Sequence, residues 1–259
     1  MQSMGQIQGF GMDDYYDLGS HSRKITTASA QAQIWFDRGL NWTYGFHHEE
    51  AIACFERALA ADPDCAMAHW GIAYALGPNY NLQWRDFSEE QRATCMQTGR
   101  AALAAAKATG AEAQLIDALR ARFASLGIPG PDDFGAFNDA YADAMRAVAT
   151  ANPGDLDILS LCVEALMNRT PWQLWDLTNG APAQGADTAE AIAALENAFQ
   201  TQPGARQHPG LLHLHIHLME MSPTPEAALP SGDALVGLVP ASGHMVHMAT
   251  HIDVLCGDY

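Results

Sequence analysis

Apolar residues recur at intervals of three and four along most of this 259-residue chain. That spacing is typical of amphipathic helices, and it is regular over residues 31–45 and 49–61. Asp62-Pro63 ends the second segment, because proline cannot continue a helix. The pattern therefore predicts two helices joined by a short turn.

The same pattern continues to the end of the sequence. Asn152-Pro153, Gln202-Pro203 and Val239-Pro240 mark further helix ends, and residues 169–186 form a long connection rich in tryptophan, glycine and proline. Further helices are predicted over residues 65–76, 88–108, 111–125, 133–151, 154–168, 187–201, 209–221, 224–238 and 243–255. The chain therefore reads as an all-α array of about five and a half antiparallel helix pairs.

The first predicted pair carries a family resemblance. Its landmark residues are Trp35, Gly39, Trp42, Ala51, Phe55, Ala58 and Pro63. Their spacing resembles the tetratricopeptide repeat, a helix–turn–helix unit of about 34 residues. The resemblance implies a right-handed α-solenoid, which we expect over residues 31–259, with residues 1–30 as an N-terminal arm.

Longer segments sharpen this resemblance. FDRGLNWTYGFHHEEAIACFERA, DPDCAMAHWGIAYALGPNYN, HPGLLHLHIHLME and SGHMVHMATHI resemble a bacterial group of tetratricopeptide proteins whose role is poorly defined. The likeness implies more about fold than about function. Gly257-Asp258-Tyr259 is similar to the turn inside one repeat unit. We therefore expect either an array that is cut within a unit or a partner, or second copy, that covers this end.

Histidines supply the main functional signal. His213 and His217 are four residues apart, as are His247 and His251, and the second pair follows the first by 34 residues. Residues four apart share a helix face, and 34 residues is the period of the repeat. Two successive repeats should therefore aim the same pair of imidazoles in the same direction.

The family register extends this set. In tetratricopeptide arrays the first helix of each pair lines the concave face, which implies that both pairs, Glu220 and His244 lie in the groove. His215 should instead face the partner helix and have a packing or hydrogen-bonded role.

Imidazoles that converge from two neighbouring helices indicate a transition-metal site, and zinc, copper and iron all accept such ligands. We predict His213, His217, His247 and His251 as ligands, with Glu220 and His244 as further ligands or acid–base groups. Metal-assisted hydrolysis and metal-dependent oxidation both stay open.

Other side chains are candidates for a wall of the same groove. Trp70 and Tyr74 share a helix face, Asn79 and Tyr80 follow in a loop of turn-forming residues, and Trp172 lies in the long connection. They would contact a small molecule or a peptide in the groove.

Three alternatives stay open at this point. The run LLHLHIHL alternates strictly, which also favours a strand with three histidines on one face. The array could be a peptide-binding module whose histidines are polar contacts, or it could be a scaffold without a small-molecule site.

Composition narrows the class of partner. The formal net charge of −17 disfavours nucleic acid, which needs Lys and Arg to neutralise phosphates. No apolar run is long enough for a membrane span. Five widely spaced cysteines without a CxxC pair indicate thiols in a reducing compartment, so we expect a cytoplasmic protein.

Overall fold

The computed structural model describes residues 15–124 and 127–257 and has an all-α repeat fold, as predicted. Within these ranges eleven α-helices follow one another: α1 Ala30–Tyr44, α2 His48–Ala61, α3 Ala66–Leu76, α4 Glu89–Ala105, α5 Gly110–Leu119, α6 Phe134–Ala151, α7 Leu156–Met167, α8 Thr188–Thr201, α9 Pro209–Met219, α10 Leu229–Val236 and α11 Gly243–Cys256. Of the proposed turn at the end of the chain, residues 258 and 259 lie outside the described residues, as does residues 1–14 of the expected arm.

Local signals set the helix starts. The Ser29 side chain accepts a hydrogen bond from the Ala32 amide at α1, and Asp155 does the same for Ile158 at α7. Such caps satisfy amides that have no partner within the helix. At α9 the cap is the His208 ring, followed by Pro209 at the first helical position.

Three details differ from the sequence-based expectation. The helix expected over 111–125 ends at Leu119 and continues as a 3-10 turn over Arg120–Phe123. The helix expected over 224–238 is a 3-10 turn, Pro225–Ala228, followed by the short α10. In the long connection, β1 (Trp175–Asp176) pairs antiparallel with β2 (Ala181–Pro182). Turns rich in proline and glycine blur such boundaries in periodic patterns.

The strand alternative for LLHLHIHL is wrong, because these residues belong to α9 and every residue of α9 is buried. Burial on all sides removes the amphipathic contrast that separates a helix from a strand in sequence.

Close helix packing depends on small residues in the first units. A Cβ atom on Gly39 or Gly71 would lie 2.5 or 2.6 Å from the ring of Phe55, so α1 and α3 both pack directly onto this side chain of α2. Ala51 and Ala58 are fully buried at the same junction. These contacts confirm why the repeat pattern requires small residues there.

The array curves until its first unit meets its later ones. α1 packs against α9, and the hydroxyl of Tyr44 in α1 reaches Asp157 in α7. The predicted groove is therefore filled at its centre, and Trp70, Tyr74 and Tyr80 are buried instead of lining an open channel. None of the described helices is long and apolar enough to cross a membrane.

Candidate metal centre

Three histidines from α9 and α11 meet beneath the curved array. His213 and His217 lie one turn apart on α9, and His244 lies in the first turn of α11. One ring nitrogen from each lies within 4.8 Å of the others, and Nε2 of His213 is 3.1 Å from Nε2 of His244. His213 and His217 are buried, and His244 is half-buried. We call these residues the three-histidine cluster.

Hydrogen bonds fix which nitrogen of each α9 ring carries the proton. Nδ1 of His213 donates to the main-chain oxygen of Tyr44 at 2.6 Å, and Nδ1 of His217 donates to Oε1 of Glu220 at 2.8 Å. Since both acceptors are oxygens, the Nε2 atoms keep their lone pairs in the neutral rings. Nε2 of His217 is buried and has no hydrogen-bond partner among the described residues. The rings therefore present free lone pairs to the centre of the cluster.

Burial keeps these imidazoles in the neutral form that metals bind. It lowers the pKa of His213 well below its ordinary value, and neighbouring imidazoles lower it further. Burial also lowers the pKa of His217, although Glu220 opposes the shift. The pKa of His244 falls to about 4 for the same reason, with His217 adding to the effect.

Glu220 connects the cluster to a second pair of histidines. Its Oε2 accepts from Nδ1 of His251 at 2.6 Å, while Oε1 accepts from His217. Burial acts to raise the pKa of this carboxyl, but the hydrogen bonds and charges of His217 and His251 outweigh it, so the pKa is lowered. An ionised carboxylate with both oxygens bonded to ligand-type rings orients them.

The predicted ligand set is thus divided between two places. His213 and His217 lie together as expected, but the third ring beside them is His244. Nε2 of His251 lies 3.0 Å from Nε2 of His247, and His247 is exposed. α9 and α11 start 34 residues apart, at Pro209 and Gly243, yet their axial offset puts His244 opposite His213.

His215 lies outside both groups. It faces α10, where its Nδ1 is 2.8 Å from Oγ of Ser231, which is the contact with the partner helix that the register predicts.

Two aromatic rings in left-handed backbone positions cover His217. Phe46 and Trp172 are the non-glycine residues with positive φ in the described ranges, at 56° and 61°. The Phe46 ring stacks on His217 with centroids 5.7 Å apart, and Trp172 meets His217 edge-on at 5.9 Å. Such conformations cost about 1–3 kcal/mol each and concentrate at functional sites. The sequence analysis identified Trp172 but missed Phe46, whose only signal was its position in a turn.

The predicted wall residues have different surroundings. Tyr80 lies 5.0 Å from the His217 ring and accepts a hydrogen bond from the Trp172 amide, so this pair does border the cluster. Asn79 lines a cavity of about 420 Å³ together with His244. Tyr74 instead donates to the buried Glu164, and Trp70 is packed against Tyr74. These last two contribute to the core beside the site, because the array closes over them.

A second polar cluster was missed by the sequence analysis. Nε2 of His21 and Nε2 of His208 lie 2.8 and 3.1 Å from Oδ1 of Asp157, which also accepts from Tyr44 at 2.6 Å. Three of these groups lie close enough together to hold an ion. However, Nδ1 of His208 accepts from the Leu211 amide, so its Nε2 carries the proton and donates to Asp157. This arrangement favours a hydrogen-bonded clamp over a metal site.

Comparison with known proteins identifies the repeat. Residues 32–65 match the family model of the tetratricopeptide repeat, and this range covers most of α1 and α2 together with their turn. No curated protein matches the chain in sequence. The first unit is therefore a tetratricopeptide repeat, a type of unit that generally mediates protein or peptide binding.

Proposed function

We propose that this chain is a metal-binding tetratricopeptide protein that holds one divalent transition metal at the three-histidine cluster. The observation that carries the proposal is Nε2 of His217, a buried lone pair with no partner in the described residues, between two other imidazoles. A buried polar atom without a partner is costly, and a bound cation would satisfy it.

The donor set fits such an ion. Ligand nitrogens around a tetrahedral zinc ion, at about 2.0–2.1 Å each, lie roughly 3.3 Å from one another. The Nε2 atoms of His213 and His244 are 3.1 Å apart before any ion is considered. Copper and iron also accept neutral imidazoles, so the metal is a member of this group.

Catalysis is the finer part of the proposal. Three histidine ligands leave a tetrahedral ion one open position, as in catalytic zinc sites. A metal bound there supplies Lewis acidity for hydrolysis or, if it is redox-active, for oxidation. Glu220 holds the rings of His217 and His251, and the cavity of about 420 Å³ beside His244 gives a small molecule access to that imidazole.

Partner binding without metal is the alternative function. The repeat fold supports it, and the charge of −17 favours a basic protein or peptide. Val254 and Leu255, on the last helix, are 59% and 54% exposed, so a partner or a second copy would bury apolar surface at this end of the array. The finer resemblance to a bacterial tetratricopeptide group and a cytoplasmic location belong to the proposal. All five cysteines are free thiols, which suits a reducing compartment.

Elemental analysis of untagged protein, before and after reconstitution with zinc, copper or iron, tests the proposal. We expect about one ion per chain, and lower occupancy in His217→Asn and His244→Asn. His215→Asn is the matched control, because it removes an equally buried imidazole from the same helix but outside the cluster. Circular dichroism checks that each variant folds. A folded protein that takes up no metal, or a folded His217→Asn variant with wild-type occupancy, contradicts metal binding.

A further inference from the structure

A second cavity lies on the opposite side of the connection that carries Trp172. It has a volume of about 450 Å³ and is formed by the 3-10 turn Trp84–Asp86, the first turns of α4 and α6, and residues 169–173. Small-molecule sites commonly have volumes of about 300–1,000 Å³. We call it the arginine cavity, after the side chains of Arg85, Arg92 and Arg169 that line it.

The charge of this cavity is opposite to that of the chain. Three of the 13 basic residues line it, and none of the 30 acidic ones does. Arg169 is neutralised by ion pairs with Asp139 and Asp187, at 2.7 and 2.5 Å. Arg85 and Arg92 make no ion pair with a carboxylate of the described chain. The cavity therefore holds two uncompensated guanidinium groups.

Its lining also contains polar atoms that lack partners. The indole Nε1 of Trp84, a residue only 1% exposed, has no acceptor among the described residues. Nε of Arg92 and Oγ1 of Thr170 are likewise buried and unpaired. Nε1 and Nε are hydrogen-bond donors, and the threonine hydroxyl can donate as well. Buried donors without acceptors beside free positive charge point to a ligand that brings oxygen acceptors and negative charge.

Aromatic rings define the rest of the cavity. Trp84 and Phe134 are nearly parallel, with an interplanar angle of 21° and centroids 6.5 Å apart, and the Arg92 guanidinium lies 5.6 Å from the Phe134 centroid. Flat apolar walls favour a planar apolar group by stacking. Guanidinium groups bind carboxylates and phosphates through paired hydrogen bonds.

We infer that the arginine cavity binds a small organic anion, in which a carboxylate or phosphate is attached to a planar apolar group. The oxyanion contacts Arg85, Arg92 and the Trp84 indole, and the planar group packs against Phe134. This site is separate from the three-histidine cluster and does not depend on a metal.

Calorimetric titration with benzoate, phenyl phosphate and uncharged benzamide tests this inference. The His217→Asn protein is titrated alongside the wild type, so that binding of an oxyanion to a metal is recognised by its loss in the variant. We expect at least one anion to bind both proteins equally and at least tenfold more tightly than benzamide, with weaker binding at high salt. The tighter anion identifies the carboxylate or the phosphate as the preferred group.

Two cavity variants and one control locate the binding. Arg85→Gln removes an exposed charge and should weaken the anion about tenfold, and Trp84→Phe keeps the ring but removes the indole donor and should also weaken it. Arg206→Gln is the control, because Arg206 is an exposed arginine outside the cavity. Equal affinity for benzamide, no binding of either anion, or unchanged binding in Arg85→Gln overturns the inference.

Discussion

The main-chain oxygen of Tyr44 lies 2.6 Å from Nδ1 of His213, across 169 residues of sequence. Tyr44 ends α1, where carbonyls have no partner within the helix, so its oxygen is free to accept this proton. The hydroxyl of the same tyrosine donates to Asp157 at 2.6 Å. One residue therefore ties the candidate metal centre to the His21–Asp157–His208 clamp.

This double contact predicts a separation of stability from metal binding. Tyr44→Phe removes only the hydroxyl and keeps the carbonyl that orients His213. We expect unchanged metal occupancy and a free energy of unfolding lower by about 1–3 kcal/mol, because a buried carboxylate loses one donor. Urea denaturation and elemental analysis measure the two quantities. Loss of metal from a folded Tyr44→Phe protein would show that the hydroxyl itself serves the site.

Glu220 should matter more for metal affinity than its lack of direct contact implies. In Glu220→Gln only one amide oxygen remains to accept a proton, so it can orient His217 or His251 but not both. Loss of such a supporting carboxylate typically lowers metal affinity by about 10–100-fold. Competition with a chromophoric zinc chelator measures the change. Glu226→Gln, at an exposed glutamate, is the control, and equal affinities in the two variants would argue against this role.

Acid should destabilise the fold through His48. Burial lowers the pKa of this imidazole to about 4, whereas an unfolded histidine titrates near about 6.5. Below that value the unfolded chain takes up a proton that the folded one does not. Stability therefore falls from about pH 6.5 towards pH 4, by up to about 1.4 kcal/mol per pH unit for this group, and this contribution is flat above pH 6.5.

His48→Gln should reduce that slope, as measured by denaturation at several pH values between 4 and 7. His47→Gln adds the same side chain at the exposed neighbouring position and controls for the substitution itself. A slope as steep in His48→Gln as in the wild type would mean that other groups cause the acid sensitivity.

Gly71 should be sensitive to a single added methyl group. A Cβ atom there would lie 2.6 Å from the Phe55 ring, so Gly71→Ala forces α3 away from α2 and should cost about 1–3 kcal/mol. Gly135→Ala has no atom within 4 Å of the added carbon and lies in α6, where alanine is the better helix former. We expect this control to raise stability by about 0.5–1 kcal/mol. Thermal unfolding of both proteins gives the two signs, and a shared sign would exclude packing as the cause.

The sequence by itself determined the helices, the first repeat unit and the shared face of His213 and His217. Each of these depends on contacts within a few residues, and local periodicity reports such contacts directly. It also determined that His215 faces away from these two, towards the neighbouring helix, where the structure places Ser231.

Only the tertiary structure decided which groups meet. The choice of His244 over His247 follows from the axial offset of α9 and α11, and Phe46, Tyr44 and Asp157 reach the histidines because α1 closes onto the later units. Small rotations between successive repeats add up along an array. The contacts between distant units depend on that sum, which a residue pattern with a local period does not contain.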